Sequence, residues 1–291
     1  SFTKMVASGN DFVVVERSQN PAINSPRILA RKICDRKFGV GADGLLLLEK
    51  SKIANVKMRI FNPDGSEAQM CGNGARCMAL YSARGQRTGN REQRKISIET
   101  KAGIIESRVD SNNTKIKLID PEDIKLDIPI KVSPIRDFAL PCSKKGISNG
   151  VNNRWLKANF IDIGVPHAVI FVEGVDKIDV VSLGRQIRYH TRFRPAGTNV
   201  DFVEMLSSNS IKVRTYERGV EDETLACGTG AVASVLLYAI RYTLSATHKV
   251  NVHTKSGEVL KVYFEKIKNK FNNVWLEGKA KIVYEGIWPL A

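Results

Sequence analysis

The sequence predicts an α+β fold built from two similar halves. The first observation is a repeated Cys-Gly-x-Gly-Ala pattern, which begins at Cys71 and again at Cys227, about half of the 291-residue chain apart. The second is that each copy opens an apolar run of helical length. The third is that most of the apolar segments are short and bounded by turn residues, which is typical of β-strands. Together they predict two domains of one plan, each with a central helix that begins at its Cys-Gly-x-Gly turn.

The first half combines short strands with an early helix. Ser25 and Pro26 predict where this helix begins, because serine caps helix N-termini and proline is favoured at the first helical position. The strands predicted for this half are residues 12–16, 45–49, 56–61, 96–100, 104–109 and 115–119.

The second half repeats this order of elements. A helix is predicted around residues 183–190, in the place of the helix that follows Ser25. Residues 121–153 carry prolines and glycines and predict the crossover between the halves. The predicted domains are therefore residues 1–120, completed by a C-terminal strand within 280–291, and residues 121–279. The strands predicted for the second half are residues 159–163, 168–172, 199–205, 211–217, 249–253 and 259–264.

The two helices that follow the repeated motif are the most informative elements. The first begins near Gly74 and is predicted to end at Gly85, since glycine is a common C-terminal stop. The second, residues 230–240, is apolar on nearly all sides and is therefore predicted to be buried. A buried helix whose N-terminus reaches the surface presents free N–H groups there. Those groups and the helix dipole favour an anion.

Composition and charge narrow the classes of protein that fit. The net charge is +15, yet the basic residues are dispersed and accompany no nucleic-acid-binding motif, which favours a solvated surface. The mean hydropathy of −0.20 is ordinary for a globular protein, and the longest apolar run, residues 231–240, is too short to span a bilayer. We therefore expect neither nucleic acid nor a membrane as partner.

Cysteine usage points to free thiols. The chain has five cysteines, an odd number, and opens without the hydrophobic run of a signal peptide, which predicts a reducing, cytoplasmic location. Their spacing does not match a zinc site, so no metal is expected. Cys34, Cys77 and Cys142 are interpreted as small buried residues.

Cys71 and Cys227 differ from those three because each precedes a helix N-terminus. The N–H groups and dipole there stabilise a thiolate and are expected to lower the thiol pKa from about 8.5 into the range of roughly 3.5–7.5. Two such thiols on opposite faces of one carbon suit an enzyme that removes a proton from one face and returns it to the other. Repulsion between two close thiolates favours a state with one thiolate and one thiol.

Such a reaction forms a carbanion beside a carboxylate, and no cofactor is predicted to stabilise it. Preorganised donors must then hold the carboxylate oxygens as charge develops. The helix N-termini at Gly72 and Asn73, and at Gly228 and Thr229, are predicted to supply these donors.

Two alternatives are weaker. Residues 39–44 fit Gly-x-Gly-x-x-Gly formally, but a dinucleotide site needs a helix after this motif, whereas Leu45–Leu48 predicts a strand. A non-catalytic, basic nucleic-acid-binding protein would fit the net charge. It would leave the paired Cys-Gly-x-Gly-Ala turns unexplained.

The chain resembles diaminopimelate epimerases, a family of pyridoxal-independent amino-acid epimerases, nearly from end to end. The resemblance rests on motifs that include both cysteine turns, and it implies a fold of two similar β-barrel-like domains, each around a central helix, with pseudo-twofold symmetry and the active site between them. The other matching motifs are Ser8-Gly9-Asn10-Asp11-Phe12, residues 59–66, Pro166-His167, Gly197-Thr198-Asn199-Val200 and Tyr216-Glu217-Arg218-Gly219.

The resemblance also implies a function and a role for each site residue. It implies conversion of LL-2,6-diaminopimelate to the meso isomer in lysine and peptidoglycan precursor biosynthesis, by a cytoplasmic homodimer without cofactor. Cys71 and Cys227 would be the acid/base pair, and His167 and Glu217 would tune their pKa values. The residues implied to bind substrate are Asn10, Asn62, Gly72, Asn73, Asn199, Glu217, Arg218, Gly228 and Thr229.

Some positions depart from the family pattern. Gly44 replaces a glutamine that contacts substrate in some members, and Val165 replaces an asparagine before Pro-His. Such changes leave open a racemase or epimerase of another amino acid, of the histidine or proline type, on the same scaffold. A relative of the phenazine-pathway isomerases is a further alternative, against which the retained cysteine pair argues.

Overall fold

In the residues that the structure describes, strands predominate and four α-helices lie among them. The structure is a computed structural model that describes residues 1–21, 23–84, 94–133, 155–242, 247–268 and 270–289. It divides into two units: unit 1 is Ser1–Lys117 with Glu277–Ala291, and unit 2 is Leu118–Leu276. The α+β class predicted from the sequence is confirmed.

The elements described up to Lys117 belong to unit 1. They are β1 (Phe2–Ala7), β2 (Asn10–Glu16), α1 (Pro26–Ile33), β3 (Gly44–Glu49), β4 (Val56–Phe61), β5 (Glu67–Ala68), α2 (Gly72–Ala83), β6 (Arg94–Thr100), β7 (Gly103–Asp110) and β8 (Asn113–Lys117).

The later elements begin in unit 2, β17 passes from unit 2 into unit 1, and β18 belongs to unit 1. They are β9 (Glu122–Lys131), β10 (Trp155–Asp162), β11 (Pro166–Phe171), α3 (Val180–Arg188), β12 (Asn199–Ser207), β13 (Ser210–Glu217), β14 (Asp222–Thr224), α4 (Gly228–Arg241), β15 (Thr247–His253), β16 (Val259–Ile267), β17 (Lys270–Lys279) and β18 (Lys281–Gly286).

Unit 1 has a mixed sheet with a definite order of pairings. The β1–β2 hairpin is antiparallel, and β1 also pairs with β18. Strand β2 then runs parallel to β3 across α1, and β3 is antiparallel to β4. Strand β4 pairs antiparallel with the short β5 and parallel with β6, which forms a hairpin with β7. Both parallel pairs are separated in the chain by a helix, as parallel connections require.

Unit 2 has the same order of pairings within itself. Hairpin β10–β11 is followed by a parallel β11–β12 pair across α3, and β12 is antiparallel to β13. Strand β13 pairs antiparallel with the short β14 and parallel with β15, which forms a hairpin with β16. The repeated cysteine motifs therefore occupy the same place in two similar strand orders, directly before α2 and α4.

The helices are of two kinds. Helix α1 is capped by Ser25, whose hydroxyl accepts from the Ile28 N–H at 3.4 Å, as the sequence predicts. Helices α2 and α4 are instead buried along nearly their whole length. Such burial fixes their N-termini firmly, because the surrounding strands pack on most faces of the helix. Within the described residues, no helix has both the length and the apolar content to cross a membrane.

Most sequence predictions of local structure are confirmed, with one correction. Each of the twelve predicted strands coincides with an observed strand or overlaps it. The sequence predicts a crossover over residues 121–153 and places none of its strands there, whereas residues 122–131 form β9, which pairs with β10. Its side chains are mostly exposed, so it lacks the apolar alternation that marks a half-buried strand. Cys34 and Cys77 are buried as predicted, whereas Cys142 and the predicted helix stop at Gly85 lie outside the described residues.

Candidate active site

In unit 1, the predicted site residues emerge from one edge of the sheet. Strand β2 begins at Asn10, and its parallel neighbour β3 begins at Gly44, so both starts lie at the same edge. Strand β4 is antiparallel to β3 and therefore ends there, directly before Asn62. The strand order thus accounts for the grouping of residues that are far apart in sequence.

Cys71 is the N-cap of α2. Its backbone is extended, its carbonyl accepts the Ala75 N–H at 2.8 Å, and its Sγ accepts the Gly74 N–H at 3.5 Å. This is the place normally taken by a serine, threonine or aspartate oxygen. The first turn of α2 therefore presents its N–H groups and its positive dipole end to the sulfur.

Asn73 and Asn10 are joined by their side-chain amides. Asn73 Nδ2 donates to Asn10 Oδ1, and Asn10 Nδ2 donates to Asp43 Oδ2 at 3.3 Å. Behind them, the fully buried Arg76 donates from one guanidinium nitrogen to Asn73 Oδ1 and, at 2.7 Å, to Ser8 Oγ. Because a guanidinium only donates, it fixes which atom of the Asn73 amide faces inward. The order of donors leaves the Asn73 nitrogen directed toward Asn10.

Asn62 is held within its own loop. Its Nδ2 donates to Ser66 Oγ at 2.9 Å, and its backbone N–H donates to the Ser66 carbonyl at 2.8 Å. Gly65, with φ +82°, permits the tight turn between these two residues. Asn62 is exposed, and the hydrogen bonds described for it join it to this loop rather than to Asn10 or Asn73.

In unit 2, the site residues again share one sheet edge. Strands β11 and β12 are parallel, with His167 opposite Asn199, both near the start of their strands. Strand β13 is antiparallel to β12 and ends at Glu217, directly before Arg218. Val165 directly precedes β11, and its backbone carbonyl accepts from the Ile163 N–H. This contact does not depend on the side chain, so valine in place of the family's asparagine preserves it.

Cys227 is the N-cap of α4, in the same way as Cys71 for α2. Its Sγ accepts the Gly230 N–H at 3.3 Å, and its carbonyl accepts the Ala231 N–H at 3.0 Å. The sulfur also lies 3.3 Å from Thr229 Oγ1. Gly228 and Thr229 form the first turn of the helix, so the predicted backbone donors lie beside the thiol.

A buried chain of hydrogen bonds continues from that threonine. Thr229 Oγ1 lies 3.1 Å from His167 Nε2, and His167 Nδ1 lies 2.7 Å from Asp201 Oδ2. Asp201 Oδ1 in turn accepts from Thr215 Oγ1 at 2.7 Å. The Asp201 carboxylate accepts hydrogen from Nδ1 and thereby orients the imidazole, so that Nε2 faces the Thr229 hydroxyl.

Glu217, Arg218 and Asn199 complete this half of the site. Glu217 Oε1 accepts from Thr224 Oγ1 at 2.6 Å, and its carboxyl group is also hydrogen-bonded to Cys227. Asn199 Oδ1 accepts the Arg218 N–H at 2.8 Å, and its Nδ2 lies 3.5 Å from His167 Nε2. Unit 2 therefore brings together all the site residues that the sequence predicts for it.

The electrostatic surroundings of Cys227 correct one expectation. The sequence predicts a lowered thiol pKa at this helix N-terminus, yet the pKa of Cys227 is raised well above its ordinary value. Burial of the sulfur is the main cause, and the nearby carboxylates of Glu217 and Asp201 add to it. Burial also raises the pKa of Glu217. The helix N-terminus acts in the opposite direction, but it does not outweigh these effects.

Asp201 and Arg76 are functional candidates that the sequence prediction missed. Asp201 could have been found as a polar residue two positions after Asn199 in the largely apolar first half of β12, because that spacing places both side chains on one face. The sequence offers little signal for Arg76, because it is one of 45 lysine and arginine residues. Its position five residues after Cys71 is matched in unit 2 by Val232, so the two halves differ in charge there.

Gly230 is required by the position of Asp201. A Cβ at Gly230 would lie 2.3 Å from Asp201 Oδ1, far inside van der Waals contact. The second glycine of this motif therefore lets a buried carboxylate approach the start of α4. Among the described residues, no group of three His, Cys, Asp or Glu side chains is arranged to hold a metal ion.

Solved structures with the same fold cover nearly the whole chain. A phenazine biosynthesis protein of the PhzF family from Bacillus anthracis matches with a TM-score of 0.70 and 18% identity, over 97% of this chain and 96% of that one. A probable proline racemase from Agrobacterium radiobacter K84, with bound carbonate, matches with a TM-score of 0.70 and 13% identity, over 100% and 93%. At these identities the match establishes the fold: a mixed sheet with few helices.

Sequence comparison is more specific. The family model for diaminopimelate epimerase matches residues 2–121 and 159–283. A diaminopimelate epimerase of Methanocella arvoryzae is 39% identical over 98% of this chain and 95% of its own length. One from Aquifex aeolicus is also 39% identical, over 98% and 96%. These matches include both cysteine turns, and the chain therefore belongs to the diaminopimelate epimerase family.

Proposed function

We propose that this protein interconverts LL- and meso-2,6-diaminopimelate without a cofactor, with Cys71 and Cys227 as the acid/base pair. The observation that carries this proposal is the repeated use of a cysteine as a helix N-cap. Each Sγ accepts an N–H from the first turn of a buried helix, at 3.5 Å for Cys71 and 3.3 Å for Cys227. A group that must gain and lose a proton is thereby held against a fixed partial positive charge in each unit.

The charges around the two thiols suggest their starting states. Burial and two carboxylates favour the neutral thiol at Cys227. In unit 1, the N-terminus of α2 brings partial positive charge to Cys71 instead, because its Sγ accepts the Gly74 N–H. The proposed starting state is therefore a Cys71 thiolate and a Cys227 thiol, for the isomer whose α-hydrogen faces Cys71.

In the proposed step, the α-carbon loses a proton on one face and gains a proton on the other. Cys71 Sγ takes the α-hydrogen as a proton, and the electron pair of the C–H bond remains on the substrate as a carbanion. The carbanion takes a proton from Cys227 Sγ on its other face, which inverts the configuration. The enzyme is left with a Cys71 thiol and a Cys227 thiolate, which is the starting state for the reverse reaction.

Backbone donors are proposed to stabilise the negative charge that develops during this step. The N–H groups of Gly72 and Asn73 lie in the first turn of α2, and those of Gly228 and Thr229 lie in the first turn of α4. First-turn N–H groups have no partner within their own helix and can bind the α-carboxylate. Because they are fixed before the reaction, they need no rearrangement as the charge grows.

The remaining polar residues are proposed to recognise the rest of the substrate. Asn10, Asn62, Asn73 and Asn199 would bind polar groups, Glu217 an ammonium group, and Arg218 the distal carboxylate. An arginine can bind a carboxylate through two parallel N–H donors. His167 would act on Cys227 through Thr229, at 3.1 Å from the threonine hydroxyl.

Several wider features belong to the same proposal. The protein is proposed to act as a cytoplasmic homodimer in lysine and peptidoglycan precursor synthesis, without nucleic-acid or membrane partners. Its domains are proposed to be β-barrel-like, related by pseudo-twofold symmetry, divided at residues 1–120 with 280–291 and 121–279. The active site would lie between them.

A narrower point concerns the substrate. Gly44 has no side chain at the start of β3, whereas Asn199 provides one at the corresponding start of β12. Because Gly44 offers no side chain to contact the substrate, a second candidate function is epimerisation of another amino acid by the same two thiols.

The test is incubation of the reduced protein with LL-diaminopimelate in D₂O, without pyridoxal phosphate. The expected result is α-deuterium uptake together with the meso isomer, both lost in Cys71→Ala and Cys227→Ala variants that remain folded. Full turnover by either variant would overturn the two-thiol scheme. Failure of the wild type, with turnover of histidine or proline instead, would establish the alternative substrate.

A further inference from the structure

A nearly buried glutamate lies four residues before each cysteine. Glu67 belongs to the two-residue strand β5, and its side chain is 5% exposed. Glu223 belongs to the three-residue strand β14, and its side chain is 6% exposed. Glutamate is seldom buried to this degree without cationic partners. Each of these two has a pair of them.

In unit 1 the partners are an arginine and a lysine. Arg59, on β4, donates from Nε and Nη2 to the two carboxylate oxygens of Glu67, at 2.8 and 3.0 Å. Lys101 Nζ lies 2.9 Å from Glu67 Oε2. Lys101 belongs to the turn between β6 and β7, so the triad joins β4 and this turn to β5.

Unit 2 has the same triad with different residues. Arg214, on β13, donates from Nε and Nη2 to the two oxygens of Glu223, at 2.6 and 2.9 Å. Lys255 Nζ lies 2.7 Å from Glu223 Oε2. Lys255 belongs to the turn between β15 and β16, which corresponds to the β6–β7 turn in the repeated strand order.

The lysine turns are also related in sequence. Thr-Lys-x-Gly begins at Thr100 in unit 1 and at Thr254 in unit 2. In unit 2 the turn is attached to the segment before the cysteine by its backbone as well, since the Ser256 N–H donates to the Leu225 carbonyl at 2.9 Å. The turn therefore holds the chain two residues before Cys227.

The geometry of the triads makes them rigid. A guanidinium that bonds both oxygens of a carboxylate fixes its direction as well as its distance. Hydrogen bonds from Arg59 lower the pKa of Glu67 to about 2, so the carboxylate is ionised throughout the working range of an enzyme. Strands of two and three residues offer few backbone hydrogen bonds, and the ion triad supplies the additional attachment.

We infer that Glu67 and Glu223 are positioning residues, each of which holds one cysteine in place through its Arg–Glu–Lys triad. Strand β5 ends three residues before Cys71, and β14 ends three residues before Cys227. A shift of either strand would move the attached Sγ against its helix N-terminus. The catalytic part of this inference rests on the proposed two-thiol function.

The test uses Glu67→Gln and Glu223→Gln, which keep side-chain size and remove the charge. With diaminopimelate, kcat is expected to fall roughly 10- to 100-fold, as for a misplaced catalytic group, while KM changes by less than about threefold. The helical circular dichroism signal is expected to remain. This split between kcat and KM separates misplaced thiols from lost substrate contacts.

Isotope exchange gives a readout specific to each half. A displaced Cys71 no longer exchanges protons efficiently, but Cys227 still removes the α-hydrogen that faces it and returns deuterium from solvent on the same face. Exchange should therefore exceed inversion with one isomer for Glu67→Gln and with the other isomer for Glu223→Gln. An equal effect on both isomers in both variants would overturn the inference.

A second readout does not depend on the substrate. Alkylation by iodoacetamide, followed at each cysteine by mass spectrometry, should differ from wild type at Cys71 alone in Glu67→Gln and at Cys227 alone in Glu223→Gln. If the wild type fails to epimerise diaminopimelate while these site-specific changes occur, the proposed substrate is wrong and the positioning role stands. Unchanged alkylation at both thiols would overturn the positioning role.

Matched controls separate positioning from general loss of charge. Glu49 lies 3.7 Å from the same Arg59 but belongs to β3, and Asp176 pairs with Lys212 at 2.5 Å on the surface of unit 2. Glu49→Gln and Asp176→Asn should leave kcat and both alkylation rates unchanged. If either glutamine variant does not fold, Lys101→Met and Lys255→Met provide the same test, because they remove one partner of each carboxylate and leave the arginine pair.

Discussion

His167 Nδ1 lies 2.7 Å from Asp201 Oδ2, and both side chains are completely buried. A buried carboxylate of this kind is costly unless its oxygens are hydrogen-bonded, and Thr215 occupies the other oxygen at 2.7 Å. The pair therefore connects the core of unit 2 to Thr229 and, through it, to Cys227. Asp201 fixes the orientation of His167 within this hydrogen-bonded chain.

Asp201→Asn tests that connection. An amide has one oxygen and one nitrogen, so it cannot accept from Thr215 and from His167 together, and one buried donor loses its partner. The free energy of unfolding should fall by about 1–3 kcal/mol. Turnover should fall roughly tenfold or more, because the imidazole is no longer held in one tautomer. Urea unfolding and steady-state kinetics measure the two effects, and Asp127→Asn, at an exposed carboxylate, should change neither.

Gly230→Ala should disrupt the site where Gly74→Ala does not. The new Cβ would lie 2.3 Å from Asp201 Oδ1 in the first case, and 3.1 Å from the flexible end of Leu46 in the second. Overpacking against a buried carboxylate should cost about 1–3 kcal/mol and displace Asp201. Alanine favours a helix over glycine by up to about 1 kcal/mol, which partly offsets the cost at Gly74. Comparable activity and stability in the two variants would contradict this assignment.

Glu217→Gln should change the pH dependence of kcat. Burial is the main cause of the raised pKa of Cys227, and the Glu217 carboxylate adds to it. Removing that negative charge makes the thiolate less unfavourable, so the thiol pKa falls. Because Cys227 is proposed to react as a thiol, the loss of kcat at alkaline pH should begin at a lower pH in the variant.

This pH shift is measured from kcat rather than from kcat/KM, since Glu217 is also proposed to bind the ammonium group and its loss raises KM. Glu221→Gln provides the control, because Glu221 pairs with Arg188 at 3.1 Å and is not among the groups that raise the pKa of Cys227. An alkaline limb that stays in place, or moves to higher pH, would show that Glu217 carries no negative charge beside the thiol.

Arg76→Lys should weaken the unit 1 half of the site. Both bonds come from Arg76 Nη2, and the ammonium nitrogen of a lysine lies one bond nearer the backbone, so it does not reach both Ser8 and Asn73. The free energy of unfolding should fall by about 1–3 kcal/mol, and KM should rise as the Asn73 amide loses its fixed orientation. Arg84→Lys, at an exposed ion pair with Glu285, should have little effect on either quantity.

The features that the sequence predicted well are local ones. The capping of α1 by Ser25, the start of each buried helix at a cysteine turn and the apolar strands depend on residues close together in the chain. The resemblance to a family then implied the site residues, and hydrogen bonds join Cys227, Thr229, His167 and Asn199 of unit 2. Short-range physics was sufficient for the local elements, whereas the roles of the site residues came from the family resemblance.

The features that escaped prediction depend on register and on contacts distant in the chain. Strand β9 is largely exposed and therefore gives no apolar alternation. The partner of His167 follows from the parallel register of β11 and β12, which brings Asp201 beside it from 34 residues away. The triads of Glu67 and Glu223 join strands and turns whose adjacency no local pattern encodes.

The choice of cysteine as the cap of α2 and α4 has a consequence for the chemistry over successive cycles. An ionised sulfur is a stronger acceptor for the first-turn N–H groups than a neutral one, so each proton transfer tightens one helix start and loosens the other. Under the proposed mechanism, the protonation states of the two thiols in the free enzyme therefore depend on which isomer was released last. Product release returns a protein prepared for the opposite isomer, and net transfer of one proton from the thiol to the thiolate, directly or through solvent, restores the earlier state.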